Sequence, residues 1–300
     1  MNYQRIVPHL WFDDEAEEAM AFYTEVFPES KHIHTCVFPD TPSGDAEQIT
    51  FELMGYRFMG INAGPYFTKN PAISFLVTYA PIELEQMEAV WEKLLEDGKA
   101  LMPFQSYPFS EKYGWVQDKY GVSWQFLMTD EAQAGRMIPT FMFINDNLGK
   151  AGEALEFYTN IFKGSKTDGV YNYPDGMEPN LPSHVMHGEF ELENQHFSIM
   201  DSAEQHDFNF NEGISLMINA ENQDEIDYYW EKLSAVPEAE ECGWIKDRYG
   251  VSWQILPKVM DDMAEHGTPE QIERLTAAFL RMKKFDIAEL ERAFEGIKEN

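Results

Sequence analysis

The chain has 300 residues, about twice the size of one compact domain, and carries 22 Lys plus Arg against 53 Asp plus Glu, a formal net charge of −31. That balance argues against nucleic acid as a partner, because phosphates would repel the chain, and against docking on an anionic membrane. At 44% apolar and 14% aromatic it is too hydrophobic for a disordered acidic chain. No apolar run approaches the ~20 residues of a membrane span. The segment MNYQRIVPHL lacks the basic-then-apolar build of a secretory signal. Two cysteines, Cys36 and Cys242, make neither a disulfide framework nor a C-x-x-C pair. The expectation is a soluble, cytoplasmic protein.

In chain order, VPHLWF (7–12) reads as a short strand. Asp14-x-x-Glu17 then has the pattern of a capping box opening a helix, whose apolar stripe is Ala16, Ala19, Met20, Tyr23, Val26 and Phe27. Strands follow near 33–38, 47–54 and 57–62, with PDTPSGD as the loop between the first two. AISFLVTY (72–79) starts a second unit, continued by a helix with Leu84, Met87, Trp91, Leu94 and Leu95 on one face and by strands near 114–118 and 122–128.

The order then repeats. GWVQDKYGVSWQFL (114–127) returns as GWIKDRYGVSWQIL (243–256), with ten of the 14 positions identical. FYTEVF (22–27) returns as FYTNIF (157–162), WEKL (91–94) as WEKL (230–233), and FELMGYRFMGIN (51–62) as FELENQHFSIMD (190–201). Spacings of 129 to 139 residues make this duplication of a whole domain, too long a period for a solenoid. Residues 263–300 belong to neither copy. Thr268-Pro269-Glu270-Gln271 is a capping box with proline at the first helical position, and Asp286-x-x-Glu289 opens a further helix. The expected organisation is 1–133, 134–262 and a helical tail, 263–300.

With two βαβββ units in each repeat and GWxxDxYGVSWQ as the closing motif, the sequence resembles the vicinal oxygen chelate superfamily (glyoxalase, bleomycin resistance protein, extradiol dioxygenase). Within it, the chain is similar to the PhnB-like family that bears the label 3-demethylubiquinone-9 3-methyltransferase. The resemblance covers nearly the whole chain. It implies an α+β fold of tandem domains, each with two βαβββ units forming a curved mixed sheet around a cup, helices outside. The residues give methyl transfer no support: no G-x-G-x-x-G occurs, nor a Walker A motif, nor H-E-x-x-H.

Strand alternation sorts the side chains. Leu10 and Phe12 should meet the helices, leaving Val7, His9 and Trp11 toward the cup; the second repeat has Thr140 and Met142 there. Ile49, Phe51 and Leu53 face helices, leaving Gln48, Thr50 and Glu52; the second repeat leaves His187, Glu189 and Glu191. Trp124 and Trp253 read as core, Trp115 and Trp244 as rim, and His32 and His34 as exposed edge-strand residues.

In metal-dependent members the resemblance implies one divalent ion held by His, Gln or Glu from four strands. The matching positions here are His9 and Thr140 on the first strands, Ser74 and Ser215 on the strands opening the second units, and Gln125 and Gln254 on the closing strands. Neither repeat keeps a full set, so a divalent metal is not the favoured expectation, although it stays open as an alternative. Two readings of function follow. In the first, an enzyme acts on a small oxygen-rich or carbonyl compound: His9, Gln48 and Gln125 orient substrate in one repeat, and His187, Glu189 and Gln254 do so in the other, with Glu189 as base. Ser74 and Ser215 would add ligand contacts. In the second, the cup sequesters a small molecule between Trp11, Trp115 and Trp244 without turning it over. The tandem chain would imitate a dimer internally, with a further homodimer left open.

Overall fold

The structure, a computed structural model, describes residues 3–297. The first repeat forms β1 (Ile6–Phe12), α1 (Ala16–Val26), β2 (Lys31–Thr41), β3 (Gly44–Leu53), β4 (Tyr56–Asn62), β5 (Ile73–Tyr79), α2 (Leu84–Leu95), β6 (Lys99–Tyr107), β7 (Ser110–Gln117) and β8 (Ser123–Met128). The second forms β9 (Met137–Phe143), α3 (Ala151–Ile161), β10 (Lys166–Asn172), β11 (Val185–Leu192), β12 (Gln195–Asp201), β13 (Ile214–Ala220), α4 (Gln223–Leu233), β14 (Trp244–Lys246) and β15 (Ser252–Pro257). The tail forms α5 (Val259–His266), α6 (Pro269–Phe279) and α7 (Ile287–Glu295), so its first helix starts four residues before the expected boundary at 263.

The strands make two mixed sheets, ordered β14-β15-β13-β1-β4-β3-β2 and β10-β11-β12-β9-β5-β8-β7-β6. The first sheet takes four strands from the first repeat and three from the second, and the other sheet takes four from each. The expected α+β fold is present, but the repeat boundary is not the boundary of a cup. Two compact units follow the sheets: unit 1 comprises residues up to 24, 30–68 and 211 onward, and unit 2 comprises 25–29 and 69–210. In unit 1 the halves join where β1 pairs antiparallel with β13, and in unit 2 where β5 pairs antiparallel with β9.

Alternation along the strands holds. In unit 1, Tyr23 of α1 stacks on Phe51, which stacks on Phe58, at 6.4 and 5.6 Å. In unit 2, Phe141 meets Tyr158 of α3 at 5.7 Å. The helices thus cover one face of each sheet and leave the other concave. Trp124 and Trp253 are fully buried, as expected for core residues.

The repeated GWxxDxYGVSWQ motif is mostly a turn lock. Asp118 accepts from the backbone amides of Tyr120 and Val122 and from Trp124 Nε1, at 2.9, 3.0 and 2.8 Å. Asp247 does the same with Tyr249, Val251 and Trp253, at 2.9, 3.1 and 2.9 Å. Gly121 and Gly250 sit at φ of 83° and 85°, which the turn requires and a side chain resists. Of the motif, the closing Gln and the Trp opposite it, Trp115 or Trp244, share the concave face.

Several local expectations need correcting. Asp14 does not cap α1; the amide of Ala16 donates instead to Asn62 Oδ1 at the end of β4, 2.7 Å away. In the second repeat Asp201 takes the corresponding place, accepting from Gly149 and Ala151. A cap supplied from a distant strand is invisible to local pattern. The loop PDTPSGD is shorter than expected because β2 runs to Thr41 and β3 starts at Gly44. In the tail the capping box of Thr268 and Gln271 forms as written, and Asp286 caps α7 by accepting from the Glu289 amide.

The repeats differ most at one edge. The second repeat is ten residues shorter between WEKL and the GW of the closing motif, so it has no counterpart of β6. In its place, the amides of Cys242 and Gly243 donate to the carbonyls of Met282 and Lys283, at 2.9 and 2.7 Å. The tail thus pairs the edge that the missing strand would have covered.

The turn lock carries a direct test. Asp247→Ala strips three buried donors of their acceptor, and should destabilise by about 2–4 kcal/mol. Urea unfolding followed by Trp fluorescence measures it; Asp247→Asn, which keeps one acceptor oxygen, should lose clearly less.

Candidate functional site

The register of unit 1 sets one row of side chains across its concave face. His9 is opposite Ser215 on β13 and beside Met59 on β4; Met59 faces Thr50, and Thr50 faces His34. On the other side Gln254 pairs with Trp244. In unit 2 the equivalent row runs Glu189, Ser198, Thr140, Ser74, with Gln125 paired to Trp115. The structure therefore regroups the sequence-derived candidates. His9 and Gln48 share a face with Ser215, Gln254 and Trp244, not with Gln125. His187 and Glu189 share a face with Ser74, Gln125 and Trp115, not with Gln254.

The two rows have different chemistry. In unit 1, His9 is 2% exposed, its Nδ1 has no hydrogen-bond partner among the described residues, and burial pushes its pKa down to about 3. The ring is neutral at physiological pH and sits edge-on to Trp244, with centroids 5.6 Å apart. Trp244 meets Trp11 at 6.1 Å, and Trp11 meets Phe67 at 4.9 Å, closing an aromatic wall. Trp11 is fixed by donating its indole Nε1–H to the Gly64 carbonyl at 2.7 Å. Gln254 Nε2 donates to Ser215 Oγ at 3.0 Å, its one hydrogen bond among the described residues.

In unit 2 the matching glutamine is fully engaged. Gln125 Nε2 donates to Ser74 Oγ at 2.8 Å, and its Oε1 accepts from Tyr113 Oη at 2.7 Å. The second repeat has Cys242 where Tyr113 stands, so Gln254 Oε1 has no such donor. Thr140 Oγ1 donates to the Ile138 carbonyl and meets Ser198 Oγ, both at 3.3 Å. His187 Nε2 lies 2.9 Å from Glu189 Oε1, and this hydrogen bond pulls the Glu189 carboxyl below its ordinary range. A carboxylate stabilised in this way is a weaker base than its position on the strand suggested.

Unit 1 also holds a cavity of about 60 Å³ at the other end of its concave face. Val7, Gln48, Thr50 and Met59 form the sheet side, and Met260, Asp261 and Glu265 of α5 form the opposite wall. His34, expected to be an exposed edge residue, is half-buried under this helix, its Nε2 2.9 Å from the Ala264 carbonyl. Cys36 lines the same cavity, and burial pushes its thiol up to about 11, so it is not a thiolate nucleophile. Both cysteines are free. Sequence reasoning missed Asn219, Asp261 and Tyr113. Alternation from Ser215 would have reached Asn219, and alternation from Trp115 would have reached Tyr113. Nothing local to Asp261 announced that α5 folds over the sheet.

A divalent ion fits neither concave row. Around His9, unit 1 offers an imidazole, a hydroxyl and an amide, with no anionic donor; unit 2 offers three hydroxyls and an amide already hydrogen-bonded to one another or to neighbours, and its carboxylate, Glu189, is paired with His187. Asp168, Glu191 and His196 of unit 2 do gather within 4.8 Å, but Lys166 Nζ lies 3.1 Å from Asp168 and 3.0 Å from Glu191, already neutralising them.

His9 gives a titration test. Its folded pKa is depressed, so the unfolded chain binds the proton first. Its contribution to stability is complete above the unfolded value near 6.5 and is lost as pH falls toward about 3, with a slope of about 1.4 kcal/mol per pH unit. By NMR the His9 ring should stay neutral from pH 8 to 5, and His9→Phe should flatten the acid limb of the stability profile. A ring titrating near 6 would contradict the burial.

Among the described residues no helix is long and apolar enough to cross a membrane. The fold and site geometry can be set beside known proteins. No curated protein matches the chain. A structure described as a putative 3-demethylubiquinone-9 3-methyltransferase, PhnB protein, from Bacillus cereus is 40% identical over 42% of this chain and 100% of its own, with a TM-score of 0.39. Glyoxalase I from Zea mays is 11% identical over 88% of this chain and 98% of its own, at a TM-score of 0.53. A putative dioxygenase from Bacillus subtilis is 12% identical over 93% and 96%, at 0.50. These last two likenesses are of fold. The family profile described as 3-demethylubiquinone-9 3-methyltransferase matches residues 4–127 and again 135–256. The chain therefore belongs to that family, in tandem duplication, and its fold is like those of glyoxalase I and the putative dioxygenase.

Proposed function

We propose that the protein binds a small molecule in the concave face of unit 1, and that unit 2 acts mainly as scaffold. The observation that carries this is the contrast between the two glutamines. Gln125 has both ends of its amide engaged within the protein. Gln254 has one end engaged, beside a buried His9 whose Nδ1 has no partner. Polar groups in a concave, aromatic-walled face that lack protein partners are the usual means of orienting a ligand. The cavity under α5 extends the same face.

Binding is favoured over acid–base catalysis by the state of the groups. A histidine with a pKa near 3 is a poor proton acceptor at neutral pH, and an amide cannot serve as a base. The family label names a methyl transfer, which would require a donor site. The chain has no glycine-rich strand-to-helix turn to hold a nucleotide-type donor. If turnover occurs, His9 and Gln254 would orient or polarise a carbonyl-type oxygen by hydrogen bonding.

The test is a small-molecule thermal-shift and calorimetry screen on the full chain, with metal analysis of the same sample. A hit should bind with one-to-one stoichiometry and without added divalent ion. Gln254→Ala should weaken it about tenfold, while Gln125→Ala leaves affinity within about twofold and lowers stability instead. Affinity that depends on Gln125 and not on Gln254 would move the site to unit 2.

A further inference from the structure

The cavity of unit 1 has an unusual wall. Its sheet side mixes apolar Val7, Met59 and Leu256 with polar Gln48, Thr50 and Asn219, while α5 presents two carboxylates, Asp261 and Glu265. Neither has an ion-pair partner within 4.0 Å among the described residues. Asp261 accepts one hydrogen bond, from Tyr3 Oη at 3.2 Å, which leaves acceptor capacity on a half-buried carboxylate. Arg57 also lines the cavity, with its guanidinium 4.0 Å from Glu52, which pairs with Lys31 at 2.9 Å. Asn219 lines the cavity, is 2% exposed, and its side-chain oxygen has no hydrogen-bond partner. A buried amide left unpaired costs stability unless something else completes it.

We propose that this cavity takes a compact organic ammonium ion, with Asp261 and Glu265 as counter-charges, Asn219 as a hydrogen-bond acceptor, and the hydrocarbon part against Met59 and Leu256. The proposal rests on the reading of unit 1 as the ligand-binding unit and names its ligand class. Size sets the limit: about 60 Å³ is room for roughly four to six water-sized groups, so the ligand, or the part of it that enters, is a short alkylammonium. Charge points the same way. Burial raises the Asp261 carboxyl above its ordinary range, and the charge of Arg57 and the Tyr3 hydrogen bond offset this only in part, so a cation held against the carboxylate would add to that offset. The net charge of −31 adds long-range attraction for a cation and repulsion for an anion. Both carboxylates come from the tail, which lies outside both repeats. The duplicated fold supplies the apolar cup, and the added helix supplies the selectivity.

The experiment uses the full chain labelled with [¹³C-methyl]methionine, so that Met59 and Met260 report from opposite walls of the cavity. The probes are n-butylammonium, butan-1-ol and butanoate, which have similar length and differ in charge. Butylammonium should shift both methyl signals at the lowest concentration, butan-1-ol about tenfold higher or more, and butanoate not at all. Asp261→Asn, which keeps an acceptor for Tyr3, should weaken butylammonium at least about tenfold. Glu265→Gln, at an exposed position, should weaken it about two- to threefold. Neither variant should change the response to butan-1-ol. Equal shifts from butylammonium and butan-1-ol, unchanged in Asp261→Asn, would overturn the ammonium ligand and leave the unit 1 site standing. No methyl shift from any probe would overturn both.

Discussion

The antiparallel pairing of β1 with β13, and of β5 with β9, decides which residues of this chain can act together. Each βαβββ unit buries only one face of its strands under its own helix, and its first strand remains an open edge. An open edge must be paired, and the two candidates for that pairing were the other half of the same repeat or a half of the other repeat. The chain uses the second. His9 consequently meets Ser215, 206 positions along the chain, and the histidine of the first repeat shares a face with the glutamine of the second. Every statement about a site in this protein follows from that registry.

The same constraint explains why duplication did not give two equal cups. Once the halves are exchanged, each concave face contains one half from each copy, so a change in either repeat alters one face only. Loss of ten residues before β14 removes a hairpin strand from unit 1 and not from unit 2. Replacement of tyrosine by cysteine at 242 releases one glutamine and leaves Gln125 held by Tyr113. Substitution of Thr140 for histidine at the first-strand position leaves unit 2 with hydroxyls that satisfy one another. One face has its glutamine and hydroxyls hydrogen-bonded within the protein, which rigidifies them, and the other keeps His9 Nδ1 without a partner among the described residues and one end of Gln254 without the donor that Tyr113 gives Gln125.

Much of the fold was legible because period-two alternation and helical stripes are local signals. Leu10, Phe12 and Phe51 announce their faces by their neighbours, and the repeat of GWxxDxYGVSWQ announces duplication. The site was legible only in its residue types. His9, Gln254, Ser215 and Trp244 all stood out, yet nothing in the spacing said that they belong together, because strand exchange leaves no mark on sequence. The cap of α1 failed for the same reason: Asn62 is 46 residues from the amide that it receives. The tail was legible as helices through Thr268 and Asp286, whereas its position over β2 depends on packing of Cys36 and Phe38 with Ile272.

That packing is where the acidity of the chain acquires a local meaning. Net charge spread over a surface bears on solubility and encounter, and both repeats are acidic throughout. A carboxylate carried by a helix across a concave apolar wall is another matter, since the low polarity around it strengthens whatever interaction it makes and penalises it for making none. Docking of α5 on unit 1 brings Asp261 into that setting and does so on the face where Gln254 has one end of its amide engaged and His9 Nδ1 has no partner among the described residues. The missing hairpin, the added tail and the freed amide thus converge on one unit, although they come from three separate segments of the chain.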